Sequence, residues 1–200
     1  MNFKDFNIYC ISLKRREDRR SSIKNHLNSL GIDFEFVDAI DSQDIEGEFP
    51  IPKGAIGCNL SHLKIYKQVI GSDKPVLILE DDVEFSSDVI EKIKDIQIPE
   101  DWALLYFGGN HNGQELDMIN ANLHRLKKTF TTHCFAINPK IITEIIEKFT
   151  FCYDRFVIDE FLAYEIQTKY PCYGIHPHLA WQTTGFSDIQ NTNVDYNFLK

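Results

Sequence analysis

Four consecutive aliphatic residues, Val76-Leu77-Ile78-Leu79, run straight into three acids, Glu80-Asp81-Asp82. An unbroken apolar run lacks the alternation of a half-exposed strand. It reads as a strand covered on both faces, in the middle of a mostly parallel sheet. Charge is costly there: two like charges about 4 Å apart repel by ~1 kcal/mol in water and ~4 kcal/mol at an effective dielectric near 20. A bound cation relieves that repulsion, and an all-oxygen ligand set suits Mg²⁺ or Mn²⁺. Open α/β sheets bind ligands beyond the carboxyl ends of their strands. The triplet therefore reads as a metal site that holds a phosphorylated ligand. An Asp-rich turn has the same composition, and receiver domains and phosphatases also place carboxylates here, so the triplet alone leaves those readings open.

With 200 residues, 43% of them hydrophobic, the chain is long enough for one α/β domain with a real core and short for two. The expected division is a main domain over residues 1–184 and a polar, Asn-rich tail over 185–200 that can order over the site. A net charge of −9 argues against nucleic acid or an anionic membrane as the main partner, since both reward basic surfaces. Five widely spaced cysteines without a C-x-x-C pair suggest neither a disulfide framework nor a zinc site. Reduced thiols fit a cytoplasmic protein. No stretch reaches the roughly 18 apolar residues of a membrane span.

Around the acidic strand the periodicity lays out alternating elements. Residues 7–13 read as the first buried strand, followed by a basic turn with Lys14, Arg15, Arg16, Arg19 and Arg20. Ile23, Leu27 and Leu30 then recur at helical spacing up to Gly31, a C-terminal cap. A strand-to-helix junction lined with guanidinium groups favours phosphate. Arg15 and Arg16, nearest the strand end, are preferred to Arg19 and Arg20 for that role. Ile32, Phe34 and Phe36 alternate with acids as in an edge strand. Residues 53–71 form a helix with Ser61 and Lys64 on the polar side and His62, Tyr66 and Ile70 on the apolar side. His62 is either a satisfied core histidine or a group reaching a ligand beside the triplet. Residues 111–128 are polar and weakly periodic, either a mobile acceptor loop or a plain insertion. Asp159 and Glu160, embedded among Phe156, Ile158 and Phe161, are either the polar edge of an amphipathic helix or a base held in a pocket. His176 and His178 flank Pro177 as an H-x-H pair, a weak metal signal on an irregular segment.

Taken together, five stretches resemble glycosyltransferase family 25, the bacterial lipooligosaccharide and collagen galactosyltransferases. They are Ile11-Ser12-Leu13-Lys14-Arg15-Arg16-Glu17-Asp18-Arg19, Ala39-Ile40-Asp41, Gly57-Cys58-Asn59-Leu60-Ser61-His62, Leu79-Glu80-Asp81-Asp82, and Asp159-Glu160-Phe161-Leu162 with a terminal Pro177 to Gln182. They follow the family's order across nearly the whole chain, departing from it at Lys14 and at His176-Pro177-His178. The resemblance implies a GT-A type fold: one Rossmann-like sheet flanked by helices. It also implies a UDP-hexose donor, UDP-galactose or UDP-glucose, and inversion at the anomeric carbon onto an acceptor hydroxyl of a glycan or protein. On that reading Asp82, with Glu80 and His178, holds Mn²⁺ or Mg²⁺. Arg15, Arg16, His62, Glu80 and Asp81 attend the nucleotide, and Asp159, or else Glu160, is the base. The competing classes are a transferase relic that binds nucleotide-sugar without turnover and a receiver-type phosphoacceptor. The latter wants acids after the first strand, where this chain is basic.

Overall fold

In the computed structural model, which describes residues 1–197, the chain forms a three-layer α/β domain. Its elements in order are β1 (Asn7–Ser12), α1 (Glu17–Ser29), β2 (Glu35–Asp38), α2 (Lys53–Gln68), β3 (Val76–Glu80), β4 (Val83–Phe85), α3 (Val89–Lys92), β5 (Leu104–Tyr106), β6 (Asp117–Asn120) and β7 (Leu123–Arg125). There follow β8 (Cys134–Ile137), α4 (Ile142–Phe149), α5 (Ile158–Phe161), β9 (Cys172–Ile175), β10 (Ala180–Gln182), β11 (Gly185–Ser187) and β12 (Thr192–Val194). Eight strands make the central sheet in the order β2-β1-β3-β8-β5-β9-β7-β6. All but β8 and β7 point the same way. The carboxyl ends of β1, β2 and β3 therefore open at one edge, with the acidic triplet on the third of them.

The apolar run works as its lack of alternation predicts. Val76, Leu77, Ile78 and Leu79 are fully buried, and successive side chains go to opposite faces. Leu77 and Leu79 join Ile23 and Leu27 of α1, together with Phe3, Phe85 and Phe107. Val76 and Ile78 join Leu63 and Tyr66 of α2 and the Ile142, Ile145 and Phe149 face of α4. Each such side chain stabilises the fold by ~1.5–3 kcal/mol through burial.

Three expectations change. Residues 111–128 are not simply a loop: β7 pairs with β9 and β6 extends the sheet edge, because Leu123 and His124 are buried against it while β6 is exposed throughout. On α2, Ser61 is buried rather than solvated, and Ile70, beyond the helix end, is 58% exposed. Residues 185–194 fold into the hairpin β11–β12. The last three residues of the expected tail, 198–200, lie outside the described residues.

Helix α2 meets the segment after β2 at Gly57, where a Cβ would stand 2.5 Å from the Ile40 carbonyl oxygen. Ser61 fastens the same contact, accepting from the Ile40 N–H at 2.9 Å and donating to the Gly57 carbonyl at 2.6 Å. Backbone cannot yield as a flexible side chain does. Gly57→Ala should therefore cost ~1–3 kcal/mol, read as a lowered urea midpoint with an unchanged m-value.

Candidate active site

A cavity of about 620 Å³ opens where β1 and β3 end, within the range of small-molecule sites. Glu80, Asp81, Asp82, Arg19, Cys58, Asn59, Thr131, Thr132, Asp159, Gln182 and Tyr196 all line it. The loss of strand pairing after Glu80 turns the acids away from the sheet core and into this space.

Each acid has a different surrounding. Glu80 accepts from the Thr132 hydroxyl at 2.7 Å, and its Oε1 lies 3.7 Å from His62 Nε2, beyond hydrogen-bond reach. Burial pushes the Glu80 carboxyl up, yet His62 and Thr132 together hold it below its ordinary value. Asp81 accepts from the Ser12 hydroxyl at 2.7 Å and from Arg19 at 2.8 Å, and burial still raises it. Asp82 is the least satisfied. Arg19 stands 3.7 Å away, and Asp82 Oδ1 is buried without a hydrogen-bond partner. Burial first, then the charge of Glu80, pushes Asp82 up to about 7 against the pull of Arg19. A buried, unpartnered carboxylate oxygen beside two more acids fits a divalent cation, which would supply both the missing partner and the missing charge. Asp82 through Oδ1, with Glu80 beside it, are the residues that would hold it.

Asp159 enters the cavity from the first turn of α5. Its Oδ2 accepts from the Thr131 N–H at 3.3 Å and its Oδ1 from the Glu160 N–H at 2.8 Å. Burial raises its pKa, the two backbone donors opposing and Glu80 adding to the rise. Thr131 holds that donor in place with a φ of 72°, a left-handed conformation that is costly for a β-branched residue and concentrates at working sites.

Other expected site residues sit elsewhere. Arg15 binds Asp41 at 2.6 Å and Asp188 at 2.8 Å, and Arg16 binds Asp18 at 2.8 Å and Asp188. Neither lines the cavity: both bind Asp188 and so latch the β11–β12 hairpin. Arg19, ranked below them, is the residue that reaches the acids, and it also donates to the Phe186 carbonyl at 2.7 Å. The signal was present, since Arg19 stands four residues before Ile23 and eight before Leu27, on the stripe that α1 turns to the sheet. Glu160 is exposed and contributes its backbone N–H to Asp159. His178 faces His111, Nε2 to Nε2 at 2.9 Å, outside the cavity lining. His62 is fully buried against Phe135, below Glu80.

Asn59 is the residue that pattern reasoning missed. Its amide donates to the Tyr153 and Phe156 carbonyls at 2.6 and 2.7 Å, and its oxygen accepts from the Ile158 N–H at 2.9 Å. It thereby fixes the segment that carries Asp159. Asn59→Ala leaves three backbone groups unpaired, one buried and two partly buried, and a cost of roughly 3 kcal/mol follows. For a chain of this size the melting temperature should fall by roughly 6–12 °C, measured by differential scanning calorimetry.

A mixed sheet of this order, with carboxylates at a strand end facing a cavity, is the architecture of GT-A-like glycosyltransferases. A crystal structure of a glycosyltransferase involved in the glycosylation of the major capsid of PBCV-1 matches it with a TM-score of 0.54. The match covers 93% of this chain and 96% of that one at 11% identity, a likeness of fold. The model of glycosyltransferase family 25 (LPS biosynthesis protein) matches residues 5–158, and the chain belongs to that family. A glycosyltransferase 25 family member of Aedes aegypti is 34% identical over 125 residues, covering 50% of this chain and 21% of the relative. Human procollagen galactosyltransferase 2 is 31% identical over 126 residues, covering 50% and 20%. The chain thus spans about a fifth of the length of these curated relatives. Asp159 lies one residue past the family match and stands on its geometry. No helix among the described residues is long and apolar enough to cross a membrane.

Proposed function

We propose that this chain transfers a hexose, galactose or glucose, from a UDP-sugar to an acceptor hydroxyl on a glycan or protein, with inversion and with Mn²⁺ or Mg²⁺ as cofactor. The observation that carries this reading is Asp82: a buried carboxylate with an unpartnered oxygen, among two further acids, across one cavity from Asp159. Family membership and a human relative named for galactosyl transfer support the donor class.

A divalent cation, when bound, neutralises the diphosphate that leaves with the nucleotide. The chain's own residues supply the rest. Asp82 and Glu80 would hold the cation. Arg19, tied to Asp81, puts a fixed positive charge beside the departing phosphate. Asp159, raised by burial yet held ionisable by two backbone donors, accepts the proton of the acceptor hydroxyl. Arg15 and Arg16 keep the β11–β12 hairpin over the cavity, where Ser187, Gln190 and Tyr196 reduce its contact with water.

Incubating the chain with radiolabelled UDP-galactose or UDP-glucose, with Mn²⁺ and then with excess chelator, tests the reading. Cation-dependent release of UDP is the expected result. Tight UDP binding without any turnover, in the presence of acceptor sugars, would instead favour a binding module.

A further inference from the structure

The floor of the cavity carries a second constellation, which shares Glu80 with the proposed cation site and adds Cys58 and His62, two residues that sugar transfer leaves unused. Cys58 and His62 stand four residues apart on α2 and so project from one face. Glu80 meets them from the end of β3. The Cys58 sulfur, a His62 ring nitrogen and a Glu80 carboxylate oxygen all lie within 4.8 Å of one another. His62 is fully buried, and its Nε2 has no hydrogen-bond partner. Its other nitrogen, Nδ1, is 3.5 Å from the Tyr66 hydroxyl. In the neutral ring, with the Nδ1–H turned to that oxygen, the Nε2 lone pair is left for a Lewis acid, which takes the place of the Nε2 proton, and the ring is oriented from behind.

We propose that Cys58, His62 and Glu80 form a second cation site, one that takes Zn²⁺, next to the oxygen-only site at Asp82. The chemistry of the donors separates the two: a thiolate and an imidazole select a softer ion than carboxylates do. Tetrahedral zinc ligands at about 2.0–2.3 Å from the metal stand about 3.3–3.8 Å from one another. His62 Nε2 and Glu80 Oε1, 3.7 Å apart, already have that spacing. The sulfur closes onto them by about 1–1.5 Å of side-chain movement at most, within what a Cys rotamer supplies. Cys58 and Glu80 line the cavity, so the ion has an entry path. Three protein ligands with one open position is a recurrent zinc arrangement. This assignment does not depend on the donor, the acceptor or any turnover.

Cobalt reports such a site optically, because a thiolate ligand gives a near-ultraviolet charge-transfer band. Titrating Co²⁺ into the full chain, kept reduced with a phosphine, should build that band to one equivalent, and Zn²⁺ should bleach it. Cys58→Ser should lose the band and bind Zn²⁺ about a hundredfold more weakly or worse. Its melting temperature in chelator should match the wild type, so that lost binding is not lost folding. Asp82→Asn should keep the band, which distinguishes this site from the cation site of the proposed function. The wild-type titration needs no variant to fold: absence of the band there overturns the assignment, as does its survival in Cys58→Ser.

Discussion

Asp159→Asn should lower kcat by about 10²–10⁴-fold, the range contributed by a positioned general base, while the KM for the donor moves by little. The carboxyl lies in the cavity with two backbone N–H donors on its oxygens, and an amide of the same shape can keep the Glu160 contact without accepting a proton. The pH dependence follows from its surroundings. Burial raises the Asp159 pKa above the ordinary carboxylate range, so the base is protonated and idle at low pH. In the wild type kcat/KM should rise with pH through that raised pKa and then level. Asp159→Asn should lose this acidic limb, and the residual rate should be flat across it. Steady-state kinetics from pH 4 to 8 separate the outcomes. Equal losses in kcat and in donor affinity would mark Asp159 as a structural support instead.

Asp82→Asn should do two opposite things: turnover should fall by about 10³-fold or more, and the cation-free chain should become more stable. In the folded protein Asp82 is pushed up to about 7, burial being the main cause, against an ordinary value of 3.8. Between those values the folded state holds a proton that the unfolded chain has released. Stability is therefore complete below about pH 4 and is lost as pH rises toward 7. At 1.36 kcal/mol per pH unit the loss reaches at most ~4 kcal/mol at neutral pH. Removing the charge should restore part of it, raising the melting temperature by several degrees at ~2–4 °C per kcal/mol. Saturating Mn²⁺ should raise the wild type similarly and leave Asp82→Asn almost unmoved. A variant that loses both activity and stability would mean that Asp82 is a scaffold group. Gaining stability by discarding a working charge is the usual trade at sites kept under electrostatic load.

How far the sequence carried this reading depended on whether the determining contact was local. Val76 to Leu79 announce their burial by composition, and the two core faces follow from alternation alone. The acids that terminate them were legible for the same reason, since a charge cluster after a buried strand has few physical explanations. Its apolar neighbours left Asp159 between the polar edge of a helix and a base in a pocket, and the family resemblance, not the local pattern, singled it out. What stayed hidden was settled by distant partners. Nothing near Arg15 and Arg16 says that Asp188, more than 170 residues later, will claim them. Asn59 looks like an ordinary polar residue on a helix until the segment at 153–158 folds against it. The strands β6 and β7 lack a periodic pattern because one has no buried face and the other is three residues long. Arg19 differs from these, because its place on the Ile23 and Leu27 stripe was readable and proximity to the strand end was the poorer guide.

The most direct test of the whole account is anomalous diffraction at the manganese edge from crystals of the chain grown with Mn²⁺ and UDP. A single strong peak within bonding distance of Asp82 Oδ1, on the cavity side of β3 and against the diphosphate, is the expected result. A diphosphate seated in the cavity with no manganese at Asp82, or manganese bound only at the chain's surface, would contradict it.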